Sequence, residues 1–400
     1  MGLNEVVSAE RVHIGFFGMR NAGKSSLANA LTGQKISVVS DVKGTTTDPV
    51  KKAMELLPLG PVVILDTPGL DDEGELGALR VERAREMLRK TNIAILVIDA
   101  VTGKSDIDIE LITELSARKI PYIVAYNKAD LLTEREQLSD SEMYVSAESG
   151  EGIEELKGRL GKFAELVKNK KSLVSDLLSP GDVVVLVTPI DTSAPKGRII
   201  LPQQMVLRDI LDSHATGVVC QVGELSGMLS SLKAPPRMVI TDSQVFGKVD
   251  KLVPNDIPLT SFSILMARYK GDLATLVEGF SALRNLRDGD RVLISEGCTH
   301  HRQCNDIGSV KMPKWIEDFS GIKPSFSFTS GGEFPDDPSE YSLIVHCGGC
   351  MINEAEMRHR TAITRDSGTP IVNYGIAIAG MHGILERSLE LFPSILKLLK

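Results

Sequence analysis

The chain carries two groups of residues whose types and spacing imply chemistry. The first begins with Gly18-Met19-Arg20-Asn21-Ala22-Gly23-Lys24-Ser25, which follows an apolar run and leads into the helix-like Ser26 to Leu31. Glycines at this spacing let backbone N–H groups curl around phosphate oxygens at a helix N-terminus. Lys24 then reaches the β and γ oxygens and Ser25 ligates magnesium. Asp66-Thr67-Pro68-Gly69 ends a second apolar run, where a carboxylate can hold the magnesium shell and the Gly69 amide can sense a γ-phosphate. Asn127-Lys128-Ala129-Asp130 ends another. The Asp130 carboxylate can accept both N1–H and N2–H₂ of guanine, whereas adenine lacks that donor pair and would leave it unpaired. Ser146-Ala147 can complete the base pocket through a backbone amide. The later elements are weak signals singly, but in this order after Gly18–Ser25 they specify a GTP site.

The second group is soft. Of five cysteines, Cys298, Cys304, Cys347 and Cys350 fall in the last third of the chain, interleaved with His300, His301 and His346. So few thiols, odd in number, do not make a disulfide scaffold. Gly297-Cys298-Thr299-His300-His301 ends one apolar run, and His346-Cys347-Gly348-Gly349-Cys350 ends another ahead of the helix-like Asn353 to Thr364. In open α/β sheets ligands bind at the carboxyl ends of strands, so the two runs could converge on one site. A thioredoxin-like dithiol accounts for Cys347 and Cys350 but leaves Cys298, His300 and His346 unused. Structural zinc suits mixed ligands, yet the five residues between Cys298 and Cys304 are not knuckle spacing. An iron–sulfur cluster on soft thiolates, with one iron left to a histidine, another side chain or an exchangeable ligand, uses most of the set. Buried, unliganded thiols are the plainest alternative; Cys220, closing a buried-strand pattern, is read that way.

The elements that must position these residues alternate. Val12 to Phe17, Val62 to Leu65, Ile93 to Asp99, Tyr122 to Tyr126 and Met143 to Val145 read as strands, several of them continuous apolar runs suited to a parallel sheet covered on both faces. A helix-like Ile153 to Lys171 and the Ser179-Pro180-Gly181 punctuation end this part. The rhythm restarts with strands Val183 to Val187, Val218 to Cys220 and Met238 to Thr241, and helices near Gln203 to His214 and Leu225 to Leu232. A helix-like Leu273 to Leu286 then leads to strands Arg291 to Ser295 and Ser342 to Val345. The expected fold class is α/β: a P-loop GTPase domain over 1–172, then two smaller α/β domains with largely parallel sheets, over 180–265 and 271–400. The middle one shows no obvious site.

Four hundred residues with 42% hydrophobic and 24% charged content suit two or three folded domains. A net charge of -8 argues against nucleic acid as the main partner, since no overall positive field would release counterions from a polyanion. The apolar runs fall far short of the roughly 18 to 20 residues that span a bilayer. Glu5 and Glu10 stand where a secretory signal needs an apolar core, and Val6 where myristoylation wants Ser or Thr; the expectation is a cytoplasmic protein with no membrane partner.

Residues 8 to 170 or so resemble the TrmE/Era-like branch of the TRAFAC GTPases. The segment Asp41-Val42-Lys43-Gly44-Thr45-Thr46-Thr47-Asp48 resembles that branch's G-T-T-x-D switch, which implies that a threonine, taken as Thr46, supplies the second magnesium hydroxyl. Leu70 follows Gly69 where Ras-like enzymes place the glutamine that orients water. Asn21 matches the P-loop asparagine of the potassium-activated members. The resemblance implies a slow, K⁺-assisted GTPase using Lys24, Thr46 and Gly69, and binding GTP through Gly18, Asn21, Gly23, Lys24, Ser25, Ser26, Asp66, Gly69, Asn127, Lys128, Asp130, Ser146 and Ala147. Magnesium falls to Ser25, Thr46 and Asp66.

Cys298-x-His300 and His346-Cys347-x-x-Cys350 resemble the C-x-H…H-C-x-x-C signature of the [FeFe]-hydrogenase maturation GTPases of the HydF family, and with the GTPase part this likeness covers essentially the whole chain. It implies a [4Fe–4S] cluster on Cys298, Cys347 and Cys350 with one exchangeable iron, whose fourth position falls to His300, His346 or neither. Cys304 and His301 lie outside the motif. It further implies a dimerising middle domain, and a scaffold that receives the diiron precursor of the hydrogenase active site from radical-SAM maturases and delivers it to apo-hydrogenase, GTP acting as the switch on partner exchange. The alternative of another class is a tRNA-modifying or ribosome-assembly GTPase with a zinc-binding tail.

Overall fold

The computed structural model describes residues 10–34, 50–67, 84–167, 172–189, 199–297 and 306–399. The chain divides into two compact units, Met1–Lys170 and Lys171–Lys400. The switch Thr45 to Thr47, Gly69 and the cluster-motif residues Cys298 and His300 lie outside the described residues.

The first unit is built on a six-stranded sheet, ordered β2-β3-β1-β4-β5-β6. Its strands are β1 (Val12–Phe17), β2 (Val50–Leu56), β3 (Gly60–Asp66), β4 (Ile93–Asp99), β5 (Tyr122–Asn127) and β6 (Glu142–Tyr144). All pairings are parallel except β2 with β3. Helices α1 (Lys24–Thr32), α2 (Asp106–Ala117) and α3 (Ile153–Val167) accompany it. One apolar cluster joins Ile14, Ile64, Ile95 and Leu156, while Phe17, Val63, Leu96 and Leu115 form the other, so the central strands are buried on both faces. That explains their unbroken Val/Ile/Leu composition. β2 was missed because Lys51, Lys52 and Glu55 mark an antiparallel edge strand, not an apolar run.

The second unit holds two parallel sheets of four strands. In the first, ordered β10-β9-β7-β8, the strands are β7 (Val183–Val187), β8 (Thr216–Cys220), β9 (Met238–Thr241) and β10 (Leu259–Ser261), with helices α4 (Leu201–Asp212), α5 (Leu225–Ser231) and α6 (Phe262–Lys270). In the second, ordered β12-β11-β13-β14, they are β11 (Arg291–Glu296), β12 (Ser325–Ser330), β13 (Leu343–His346) and β14 (Ile371–Asn373). The expected helix Leu273 to Leu286 is two helices, α7 (Leu273–Glu278) and α8 (Phe280–Arg284). They meet at Gly279, where an added Cβ would lie 2.0 Å from the Ile371 carbonyl oxygen. Helices α9 (Glu354–Asp366) and α10 (Tyr374–Met381) follow β13 and β14, among other helices of the unit.

One core runs through both sheets, from Val184 and Ile240 through Leu265 to Ile294 and Val345. Three features knit the sheets together. Thr260 donates to the Ser388 carbonyl (3.0 Å) and Asn373 to that of Ser263 (3.3 Å). Gly375 comes so near Ser263 that a Cβ there would stand 2.3 Å from the serine's own. Cys220 is buried in this core; its burial, helped by Glu224, raises the thiol pKa, as suits a packing residue. No helix among the described residues is long and apolar enough to cross a membrane.

Candidate functional site

The phosphate loop joins β1 to α1. Gly18 (φ 135°) is a position where a Cβ would fall 2.1 Å from the Val97 carbonyl oxygen, and Gly23 (φ 89°) one where it would strike the Asn127 amide at 2.2 Å. Only glycine fits either place. Lys24, 7% exposed, donates from Nζ to the carbonyls of Gly18 (2.9 Å) and Met19 (2.8 Å), so its ammonium already sits over the loop. Asn21 is exposed with left-handed backbone (φ 62°), and Ser26 is exposed one residue beyond Ser25.

The parallel pairing of β1 with β3 sets Phe16 opposite Asp66, and this register delivers Asp66 to the loop. Ser25 Oγ donates to Asp66 Oδ2 at 2.6 Å, while Asp66 Oδ1 is buried with no hydrogen-bond partner among the described residues. Burial raises the Asp66 pKa, against the Ser25 hydrogen bond and the Lys24 charge. A hydroxyl and an orphaned, desolvated carboxylate oxygen side by side are hard donors of the kind magnesium takes, so the residues fit that ion. Thr67 anchors the turn beyond, donating to the Phe16 carbonyl at 2.5 Å.

The base-recognition residues hang from β5 and β6. Asn127 is buried, and its amide group is used twice by protein backbone: Nδ2 donates to the Ala22 carbonyl (3.0 Å) and Oδ1 accepts from Ala147 N (3.0 Å). It ties the phosphate loop to the Ser146-Ala147 turn. Lys128 (φ 65°) pairs with Asp99 at 2.5 Å, a contact that, with the Val101 amide, outweighs the effect of burial and holds the Asp99 carboxyl below its ordinary value. Ser146 Oγ accepts from Ser149 N (3.0 Å) and donates to Asp130 Oδ1 (2.5 Å), fixing the orientation of the carboxylate. Every described residue of the expected nucleotide site therefore gathers at the carboxyl ends of β1, β3, β5 and β6. Sequence reasoning gave no role to Thr67, although it lies within the Asp66–Gly69 motif, and missed Asp99, which ends β4 and meets Lys128 only through the β4–β5 pairing.

At the other candidate site, β11 pairs with β13 so that Ser295 faces His346. This brings the residue before Cys298 to the second half of the motif: Gly297 N donates to Cys347 Sγ at 3.0 Å, and Gly349 N to the same sulfur at 3.4 Å. Both Cys347 and Cys350 are partly buried and free of disulfide. Burial, with Cys350 and Glu296 nearby, pushes the Cys347 thiol up to about 11 against those two amide bonds. Amide donors aimed at a sulfur suit a metal-bound thiolate, and the soft donors suit iron. No three potential ligands converge on one point among the described residues.

His346, one of the two histidines left open for the fourth position, has both ring nitrogens engaged. It is fully buried, and its Nδ1 lies 2.7 Å from the Cys347 carbonyl oxygen, which can only accept, so Nδ1 carries the proton. Nε2 must then accept from Arg360 Nη1, 3.1 Å away. Burial, together with the Arg360 charge, holds the ring pKa down to about 3, so the imidazole is neutral. Neither nitrogen is free for a metal in this arrangement, and His346 touches the motif through the Cys347 carbonyl. The sequence could not reveal this, because Arg360 lies on a helix 14 residues further on.

Three family models match the chain. One, described as a 50S ribosome-binding GTPase, covers residues 13–128. The hydrogen maturase F dimerization domain covers 173–271, and the hydrogen maturase F tetramerization domain covers 274–391. Among curated proteins, the tRNA modification GTPase MnmE of Bordetella avium (strain 197N) is 34% identical over 161 residues, 40% of this chain and 35% of its own. GTPase Der of Kosmotoga olearia is 32% identical over 191 residues, 42% of this chain and 43% of its own. The chain thus spans about a third to two fifths of the length of these relatives, and the MnmE likeness is confined to the GTPase domain. Among solved structures, Era of Aquifex aeolicus bound to GDP.AlF4- is 20% identical with a TM-score of 0.34, covering 52% of this chain and 91% of that one. With a GTPase domain followed by both domains named for hydrogen maturase F, which together span more than half its length, the chain belongs to the hydrogen maturase F (HydF) family of hydrogenase maturation GTPases.

Proposed function

We propose that this protein is a GTP-switched iron–sulfur scaffold: it receives the diiron precursor of the [FeFe]-hydrogenase active site from radical-SAM maturases and hands it to apo-hydrogenase. The observation that carries the reading is the pair of amide bonds on Cys347 Sγ, one of them from Gly297, the residue but one before Thr299 and immediately before Cys298. It supports Cys298, Cys347 and Cys350 as one thiolate set formed where β11 and β13 end. A [4Fe–4S] cluster held there would supply an iron with an exchangeable position for the precursor. In this reading His300 remains the histidine of the motif available as a fourth ligand.

At the nucleotide site, Lys24 and the loop amides bind the β and γ phosphates, and Ser25 and Asp66, with Thr46, hold magnesium. Asp130 reads guanine, and Gly69 senses the γ-phosphate. Magnesium supplies charge neutralisation between the phosphates. With no glutamine after Gly69, hydrolysis is slow and assisted by K⁺, for which the exposed Asn21 amide oxygen is a hard donor. The described unit 171–400 comprises two functional parts, one dimerising and one carrying the cluster, and the protein works in the cytoplasm as a dimer or higher oligomer.

Two measurements test this. Anaerobically purified protein is expected to hold iron and sulfide, absorb near ~400 nm and give an EPR signal on reduction. Stoichiometric zinc without iron would instead favour a GTPase of the tRNA-modifying kind with a zinc site. GTP turnover is expected to rise in K⁺ over Na⁺ at equal ionic strength, and Asn21→Ala to lose the difference; equal rates in both salts for intact wild type would rule out the cation.

A further inference from the structure

Two cations are buried in the second unit near the Cys347–Cys350 loop; one ends on its backbone and the other on the His346 ring just before it. Lys270, the last residue of α6, is 2% exposed; its Nζ donates to the carbonyls of Cys350 (3.1 Å) and Ile352 (3.0 Å). Arg360, on α9, is 0% exposed. Its Nε donates to Glu356 Oε1 (2.9 Å), Nη2 to the Gly331 carbonyl (2.7 Å), and Nη1 to His346 Nε2 (3.1 Å) and more weakly to Ser295 Oγ (3.5 Å). The Phe334 ring lies 5.0 Å from the guanidinium carbon. Through His346, Arg360 holds the Cys347 carbonyl; Lys270 holds that of Cys350 directly.

Burying a charge is costly, and well-packed apolar residues usually stabilise a core as well or better. Packing therefore does not account for two such groups on one short loop. Removing a cation, by contrast, would free the carbonyls it satisfies and the peptide that each thiol extends from. The balance of charge points the same way. Three thiolates on a cluster would bring net negative charge into a partly buried site; Lys270 would offset it from behind the Cys350 peptide, whereas the Arg360 charge is already paired with Glu356 at 2.9 Å. Lys270 also belongs to the stretch matched by the dimerization domain, residues 173–271, while the loop it holds lies within the tetramerization match, 274–391. It is the point at which the first sheet's last helix grips the ligand loop.

We propose that Lys270 and Arg360 are positioning residues of the thiolate loop, fixing Cys350 and Cys347 from two different helices, and that Lys270 also sets the electrostatic field at the metal they hold. This rests on the cluster reading above.

The test uses the full chain, reconstituted anaerobically with iron and sulfide, in wild type, Lys270→Met, Lys270→Gln and Arg360→Lys, with far-UV circular dichroism to follow folding. Lys270→Met is expected to lose iron to a chelator at least about tenfold faster and to shift the cluster's midpoint potential to more negative values. Lys270→Gln retains a donor without the charge, so its potential shifts while more of the iron stays; it decides the matter should Lys270→Met not fold. Arg360→Lys keeps the charge but not the fork that reaches both His346 and Gly331, and is expected to speed iron loss with a smaller shift in potential. Wild-type potential and chelation rate in the folded variants would overturn the proposal. If wild type takes up no iron, the cluster reading falls first. Alkylation of Cys350 in the metal-free chains then tests positioning alone: a several-fold change of rate in the Lys270 variants supports it, and equal rates refute it.

Discussion

Replacing Asp130 with asparagine is expected to lower GTP affinity by about 10² to 10⁴-fold and to raise affinity for xanthosine triphosphate. The direction follows from Ser146. Its hydroxyl accepts from Ser149 N, so its own proton goes to Asp130 Oδ1. An asparagine in the same rotamer keeps Oδ1 on Ser146 and must turn Nδ2–H₂ to the base. Guanine presents N1–H and N2–H₂ there, so donors face donors, and the polar groups of both partners lose their hydrogen bonds. Xanthine carries a carbonyl at C2, which accepts from that amide. Equilibrium binding of both nucleotides to wild type and Asp130→Asn reads the effect. Unchanged GTP affinity in the folded variant would mean that Asp130 does not contact the base.

The same region shows how far the sequence could be read. Motif residues follow strands, and strands buried on both faces announce themselves as unbroken apolar runs; Val12–Phe17, Ile93–Asp99 and Val183–Val187 have the expected bounds. Strands at sheet edges were harder. β12 reads Ser-Phe-Ser-Phe-Thr-Ser and β14 has three residues, because an edge or a short strand needs only one apolar face or a few contacts. Among candidate functional residues, those that stand out in the sequence are the ones in fixed local spacing, from Gly18 to Ser25 and from His346 to Cys350. What could not be read were roles set by contacts distant in sequence. Asn127, expected in the GTP site as part of the Asn127–Asp130 motif, also spans 105 residues to Ala22. His346, left open as a ligand, bonds Arg360 from 14 residues further on. Lys270, 80 residues from Cys350, carries no motif at all. Such pairings are fixed by sheet register, which apolar pattern constrains only to a face.

Cys347→Ser is expected to abolish stable cluster binding, taking iron from about four per chain to below about one tenth of that. The thiol of the metal-free protein is held protonated, its pKa pushed up to about 11 by burial, so at neutral pH it becomes a thiolate only by giving up its proton to metal binding. The amides of Gly297 and Gly349 are aimed at the sulfur and stabilise that thiolate once formed. A serine hydroxyl in this place is harder, shorter and far less acidic, and it would pair with the same amides as a neutral group instead of ligating iron. The raised pKa also gives a sign for stability. The thiol favours folding fully below the ordinary cysteine value of about 9, and this contribution is lost as pH rises from there through about 11, so metal-free wild type weakens over that window more than Cys347→Ser, which of the two raised thiols keeps only Cys220. Cys220→Ala supplies the contrast: that thiol is packed in the core beside Leu186 and Val187 on the neighbouring strand, and its loss is expected to leave the iron content unchanged. Iron and sulfide assays on the two variants, with urea unfolding of the metal-free chains between pH 7 and 11, read both effects. Full iron in Cys347→Ser would remove Cys347 from the ligand set.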